Sequence, residues 1–122
     1  MAGIAFGADG KVTFPTKYHG SVTLSKNKWD EICSEPERYY YPLNGEKIPT
    51  TLINPDVVRH HKHEPTQFMY YKRFSTIMIA PTISTTFNDG VYFAVVIDEN
   101  RKRICTVYPV VKPKDGKEFK PA

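Results

Sequence analysis

The chain has 122 residues, of which 40% are apolar and 25% charged, and its net charge of +4 gives a sequence pI near 9.0. These values are ordinary for one globular domain, 1–122, and they permit an anionic partner such as RNA. No apolar run has the length of a membrane span, and the first residues lack the pattern of a secretory signal. We therefore expect a cytoplasmic location and no membrane partner.

The N-terminal part of the chain predicts short elements. Strands are expected at Lys11–Phe14 and Ser21–Leu24, where β-branched residues alternate with polar ones. Ser25 is suited to cap a short helix whose apolar stripe contains Trp29. A second short helix is expected at Gly45–Ile53, with its last two apolar residues facing inward.

Strands dominate the rest of the chain. Alternating apolar residues predict strands at Val57–His61, Gln67–Phe74, Val91–Ile97 and Arg103–Val111. The second strand continues to Ile79, and Asn88-Asp89-Gly90 predicts a tight turn before the third. Asp98–Arg101 is the polar turn of the central hairpin, with an Asn that tolerates a left-handed backbone. Because sequential strands usually pair, we expect an α+β fold, with short N-terminal helices packed on one face of a four- to five-stranded antiparallel meander sheet.

The core is expected within residues 21–112, between loosely ordered ends. The tail 112–122 is rich in Lys, Pro and Gly, which favours such an end. Cys33 and Cys105 stand in no metal-ligand spacing, so two buried thiols are expected.

The sheet face that the helices leave uncovered, here the open face, is the expected functional surface. Thr106 and Tyr108 share one side of the last strand, and they point to the open face if the alternate residues pack under the helices. The first strand ends in the basic run Arg59–His63, and Lys72 and Arg73 point to opposite sides of the second. Histidine can serve as base or acid in metal-independent RNA cleavage, while Lys and Arg stabilise the phosphorane-like charge.

Three interpretations of the histidine cluster stay open. His60, His61 and His63 can act in catalysis or RNA contact, two of them can hold a metal, or the run is a solvated polar turn. No Cys, Asp or further His stands at a third-ligand spacing, so we expect no metal and no cofactor. The sequence also contains no phosphate-binding loop, dinucleotide turn or GxSxG motif, which excludes the enzyme classes that depend on them.

The order of elements resembles a known superfamily. The segment SVTLS precedes a helix with Trp29 near its start, and INPDVV, FMYYKRF, YFAVVI and RICTVYPVVK follow. Over about 21–112 this layout is similar to the phage- and toxin-associated nuclease-like domains of the barnase, EndoU, colicin and RelE superfamily. The most telling pieces are Asn54–Val58, Tyr70–Lys72 and Thr106–Tyr108.

The resemblance implies a metal-independent ribonuclease of toxin type that cleaves tRNA or mRNA and is controlled by an antitoxin or immunity protein. It also implies that Lys72 contacts phosphate and that Thr106 and Tyr108 line the active face. The predicted catalytic residues are thus His60, His61, Thr106 and Tyr108. The predicted RNA contacts are Arg59, His63, Lys72 and Arg73.

One departure from the family pattern supports an alternative. Members of this branch carry a histidine in the first helix, where this chain has Trp29-Asp30-Glu31-Ile32. The alternative is a catalytically inactive relative of the same fold that binds RNA or a protein, such as a phage accessory or inhibitor protein. An accessory protein with no nucleic-acid role is the third hypothesis.

Overall fold

A computed structural model describes residues 4–35, 38, 41–80, 83–113 and 116–119. Within these residues the chain forms six strands and two α-helices, which confirms the α+β class. The elements are β1 (Lys11–Pro15), β2 (Ser21–Ser25), α1 (Lys26–Ile32), a 3-10 turn (Tyr41–Asn44), α2 (Lys47–Ile53), β3 (Val57–His60), β4 (Gln67–Ala80), β5 (Ile83–Asp98) and β6 (Arg103–Val110). Neither helix is long and apolar enough to cross a membrane.

The six strands form one mixed sheet in the order β1-β2-β6-β5-β4-β3. As predicted, strands that follow one another in the chain pair antiparallel from β3 to β6. The prediction of four to five antiparallel strands was too small, because β1 and β2 also join the sheet. Strand β2 runs parallel to β6, with Thr23 opposite Arg103, a pairing between distant parts of the chain that the neighbour rule does not anticipate.

The two short helices follow their sequence signals. The Ser25 hydroxyl accepts a hydrogen bond from the Lys28 N–H at 3.1 Å, as expected of an N-cap, and Trp29 is buried. In α2, Leu52 is fully buried, but Ile53 is 49% exposed and does not face inward as predicted. Successive helical residues point about 100° apart, so burying one of this pair turns the other outward.

The predicted tight turn at Asn88-Asp89-Gly90 is wrong, because these residues lie inside β5. Phe74 of β4 pairs with Val91, whereas Thr76 pairs with Thr86, so the extra residues of β5 form a bulge. The glycine takes a positive φ of 76° there. Strand β4 continues to Ala80 and also pairs with the part of β5 that precedes Gly90. The glycine therefore serves a bulge within β5 and not a turn between two strands.

Apolar side chains pack on both faces of the sheet. The larger cluster lies between the sheet and the helices and includes Trp29, Leu52 and Phe93. A smaller cluster on the open face contains Met69, Tyr71, Ala94 and Val96. The central strands therefore have both faces covered, in keeping with their nearly continuous apolar sequence.

The C-terminal segment 116–119 lies against the outer edge of β3. The His60 N–H donates to the Lys117 carbonyl at 2.8 Å, and the Phe119 N–H donates to the Val58 carbonyl at 2.7 Å. On the open face, the Pro113 carbonyl accepts a hydrogen bond from the Arg59 guanidinium at 3.5 Å. Arg59, a predicted RNA contact, is thus hydrogen-bonded to the segment that follows β6, at Pro113.

Candidate nucleic-acid interface

The predicted site residues are divided between two faces of the sheet. On the open face, Arg59 pairs with Met69, Met69 with Val96, and Val96 with Thr106. Arg59 and Thr106 therefore lie on one row but three strands apart, about 14 Å at the usual strand spacing. Neither residue is within direct reach of a group bound at the other.

Tyr108 also lies on the open face, next to Tyr71. The two tyrosines flank the small Ala94 on one cross-strand row, which leaves room for their hydroxyls to meet. Burial and a hydrogen bond with Tyr71 raise the pKa of Tyr108 well above its usual value. The phenol therefore keeps its proton at neutral pH and cannot act there as a general base.

His60 and Lys72 lie on the helix side of the sheet, not on the open face. His60 pairs with Phe68, and their rings are 5.0 Å apart between centroids. Lys72 pairs with Phe93 of the main core, and its ammonium is 4.0 Å from a carboxylate oxygen of Asp56. The sheet thus separates these two residues from Thr106 and Tyr108.

The other predicted residues lie at the periphery. His61 Nδ1 accepts hydrogen bonds from the N–H groups of His63 and Glu64, each at 3.1 Å, and so closes the β3–β4 loop. His63 itself is exposed. Arg73 is exposed on the opposite face from Lys72, and its N–H donates to the Asp56 carboxylate at 2.7 Å. Among the described residues, no group of three or more His, Cys, Asp or Glu is placed to hold a metal ion.

A histidine that the sequence analysis missed is buried in the β1–β2 loop. His19 is 8% exposed, its ring stacks on Phe68 at 4.1 Å, and its Nδ1 is 2.5 Å from the Tyr70 hydroxyl. The same hydroxyl also accepts a hydrogen bond from the Tyr18 N–H at 3.3 Å. His19 Nε2 lies 4.0 Å from the Glu99 carboxylate. No spacing in the sequence identifies this contact, because 51 residues separate the two partners.

Burial lowers the pKa of His19 below its ordinary value. The Glu99 carboxylate opposes this shift, while Lys102 and His60 add to it. His19 is thus held neutral and away from solvent, where it connects the β1–β2 loop to the core. Its burial makes it a structural residue and not an acid or base for a bound substrate.

The lowered pKa predicts that the protein loses stability as the pH falls below 6.5, the ordinary value of histidine. In this range the unfolded chain takes up a proton at His19 and the folded chain resists it, so the free energy of unfolding decreases until the folded pKa is passed. Urea unfolding at a series of pH values measures the slope. His19→Gln should reduce this slope. His63→Gln, in an exposed loop, is the control and should leave the slope unchanged. A slope that is lost in His63→Gln and kept in His19→Gln would show that His19 is not its source.

A groove of about 640 Å³ lies where β1, β2, the start of α1 and the β5–β6 turn meet. It carries five cationic side chains and a single carboxylate, with small polar groups between them. The charged residues are Lys11, Lys28, Arg101, Lys102, Arg103 and Glu31. We refer to this surface as the basic groove.

The β5–β6 turn is built to hold its three cations in place. The Asp98 carboxylate accepts hydrogen bonds from the N–H groups of Asn100 and Arg101, at 3.0 and 3.1 Å. The bond from the Arg101 N–H is the main reason why the pKa of Asp98 lies below its ordinary value. Lys102, and not Asn100 as expected, has the left-handed backbone, with φ of 52°, and its carbonyl accepts the Thr23 N–H at 2.9 Å. The turn is thereby fixed to β2.

Most of the positive charge in the basic groove is unneutralised. Lys28 lies 3.8 Å from Glu31, but no other groove cation has an ion pair within 4.0 Å in the described part of the chain. Lys11, Arg101, Lys102 and Arg103 are all exposed. No aromatic side chain belongs to the described lining, so the surface offers charge and hydrogen-bond donors without a platform for base stacking. Such a surface suits phosphate groups.

The sequence patterns place Arg101 in the hairpin turn and Lys11 and Arg103 at the first positions of strands, and none of these cations was predicted to bind a ligand. The run Arg101-Lys102-Arg103 was the available signal, but Lys11 and Lys28 join it only in the folded chain. Comparisons with protein-family models, with curated proteins and with solved structures found no match for the chain. We therefore infer a function from the geometry and charge of these surfaces.

Proposed function

We propose that the protein binds RNA through the basic groove and does not cleave it. The observation that carries this proposal is the cluster of five cations with one carboxylate on a surface fixed by backbone hydrogen bonds. The proposal corresponds to the binding alternative inferred from the sequence. It does not depend on the predicted catalytic residues, which lie on different faces.

The groove favours structured RNA bound through its phosphates. Without aromatic rings it has no means of stacking unpaired bases, whereas a row of cations can follow the backbone of a duplex. Four unpaired cations that each neutralise one phosphate give a steep salt dependence, about a 10²-fold loss of affinity between 50 and 200 mM salt. Sequence preference is expected to be weak, because phosphate contacts carry no base information.

Ribonuclease activity of toxin type is a second candidate. In its favour, Arg59, Thr106 and Tyr108 share the open face, although the Arg59 guanidinium is already hydrogen-bonded to the Pro113 carbonyl. An antitoxin or immunity protein as partner belongs to this candidate alone. Tyr108 would serve there only as a proton donor, since its raised pKa excludes the role of base.

A single experiment separates the two candidates. The chain is incubated in EDTA with a labelled RNA duplex and with total tRNA. Its affinity for RNA is measured by fluorescence anisotropy at rising salt concentrations. The RNA is then run on a denaturing gel. We expect salt-sensitive binding and intact RNA. Discrete fragments that disappear in Tyr108→Phe or in His60→Ala/His61→Ala would establish the ribonuclease instead, and an affinity that does not change with salt would refute the groove as a phosphate site.

A further inference from the structure

A second cavity, of about 350 Å³, opens beside β3 and is chemically different from the basic groove. Its walls come from the β1–β2 loop, the segment before β3, and the C-terminal segment. The lining includes the aromatic rings of Tyr18 and Phe119 and the carboxylates of Asp56 and Glu118. We refer to it as the acidic cleft.

The rings of Tyr18 and Phe119 line the acidic cleft and are inclined to each other. The centroids of Tyr18 and Phe119 are 5.4 Å apart, and their planes are inclined at 51°. The Tyr18 ring already attracts a cation, because the ammonium of Lys17 lies 5.4 Å from its centroid. Tilted rings of this kind bind ammonium and guanidinium groups through their negative faces.

Among the described residues, the charged groups that line the cleft are the carboxylates of Asp56 and Glu118. Asp56 accepts the Arg73 N–H through one oxygen, and its other oxygen lies 4.0 Å from the Lys72 ammonium, at the distance limit of an ion pair. The Asp56 side chain is 48% exposed, so it can still accept a hydrogen bond from outside. Glu118 is exposed and has no ion pair within 4.0 Å among the described residues.

We propose that the acidic cleft binds the cationic side chain, arginine or lysine, of a partner peptide. The aromatic rings would contact the alkyl chain and the charged head, and Asp56 and Glu118 would accept its hydrogen bonds. The volume suits one such side chain and is at the lower limit for small-molecule pockets. The basic groove repels such a peptide, so the two surfaces would recognise partners of opposite charge.

The test is an NMR titration of the full-length chain with N-acetyl-arginine amide and with N-acetyl-citrulline amide, which has nearly the same shape and no charge. The arginine probe should produce saturable amide shifts at Tyr18, Val57, Val58 and Phe119, in the millimolar range expected for one side chain. The citrulline probe should produce none. A longer peptide with one central arginine tests whether a polypeptide context retains or strengthens the binding.

Substitutions in the cleft distinguish binding at this site from non-specific charge attraction. Glu118→Gln should weaken arginine binding roughly tenfold, and Tyr18→Leu should do the same by removing the ring face. Glu64→Gln, which removes an exposed carboxylate elsewhere, is the control and should leave binding unchanged. Equal shifts with citrulline, absence of saturable shifts, or an equal loss in Glu64→Gln would overturn the proposal. None of these results would affect the RNA proposal, whose site is the basic groove.

Discussion

The double substitution Arg101→Glu/Arg103→Glu is expected to lower the affinity for duplex RNA by about 10²-fold or more at moderate salt. The substitutions remove two phosphate contacts and place two carboxylates next to the remaining cations of the basic groove. The slope of log affinity against log salt should become shallower by about 2, because two fewer counterions are released. Fluorescence anisotropy over a salt series measures both quantities.

A control of equal charge is available outside the groove. Lys62→Glu/Lys112→Glu changes the net charge by the same amount at exposed positions in the β3–β4 loop and the tail. It should reduce affinity several-fold at most, because these charges act only at long range through screened solvent. If the two double variants lose affinity equally, binding follows the net charge of the protein and the groove is not the site. Circular dichroism checks that both variants remain folded.

Tyr70→Phe is expected to lower the free energy of unfolding by about 1–3 kcal/mol. The change removes one oxygen from a fully buried side chain and leaves the Tyr18 N–H and His19 Nδ1 without their partner. One buried and one partly buried polar group then lose their partner, and the β1–β2 loop loses its hydrogen bonds to β4. Urea unfolding measures the difference.

Tyr92→Phe is the matched control for this loss. It removes the same atom from a half-buried ring that packs edge-on against Tyr71 at 6.4 Å. Its effect should remain within about 0.5 kcal/mol, as for most surface substitutions. Equal destabilisation by the two variants would indicate that the Tyr70 hydroxyl has no special role. The double variant His19→Phe/Tyr70→Phe should cost less than the sum of the single changes, because the two groups share one hydrogen bond.

Local patterns determined much of the secondary structure. Ser25 caps α1 because its hydroxyl can reach the first-turn N–H groups, an interaction set within four residues of the chain. Alternation predicted β3, β4, β6 and the second half of β5, since side chains on a strand point to opposite faces whatever the strand pairs with. The Asn88-Asp89-Gly90 signal failed because a glycine with positive φ serves a bulge as well as a turn.

The candidate sites depended on contacts that local patterns do not contain. The sequence by itself determined an α+β domain with alternating strands, a net charge of +4 and no run long enough for a membrane helix. Only the tertiary structure placed β2 beside β6, which brings Lys11 and Lys28 to the Arg101-Lys102-Arg103 turn. Likewise, only the tertiary structure shows that His60 lies on the sheet face opposite Thr106 and that His19 is buried against Tyr70. The physical reason is that periodicity fixes the direction of a side chain along its own element, whereas strand order and the path of the tail are set by packing between distant segments.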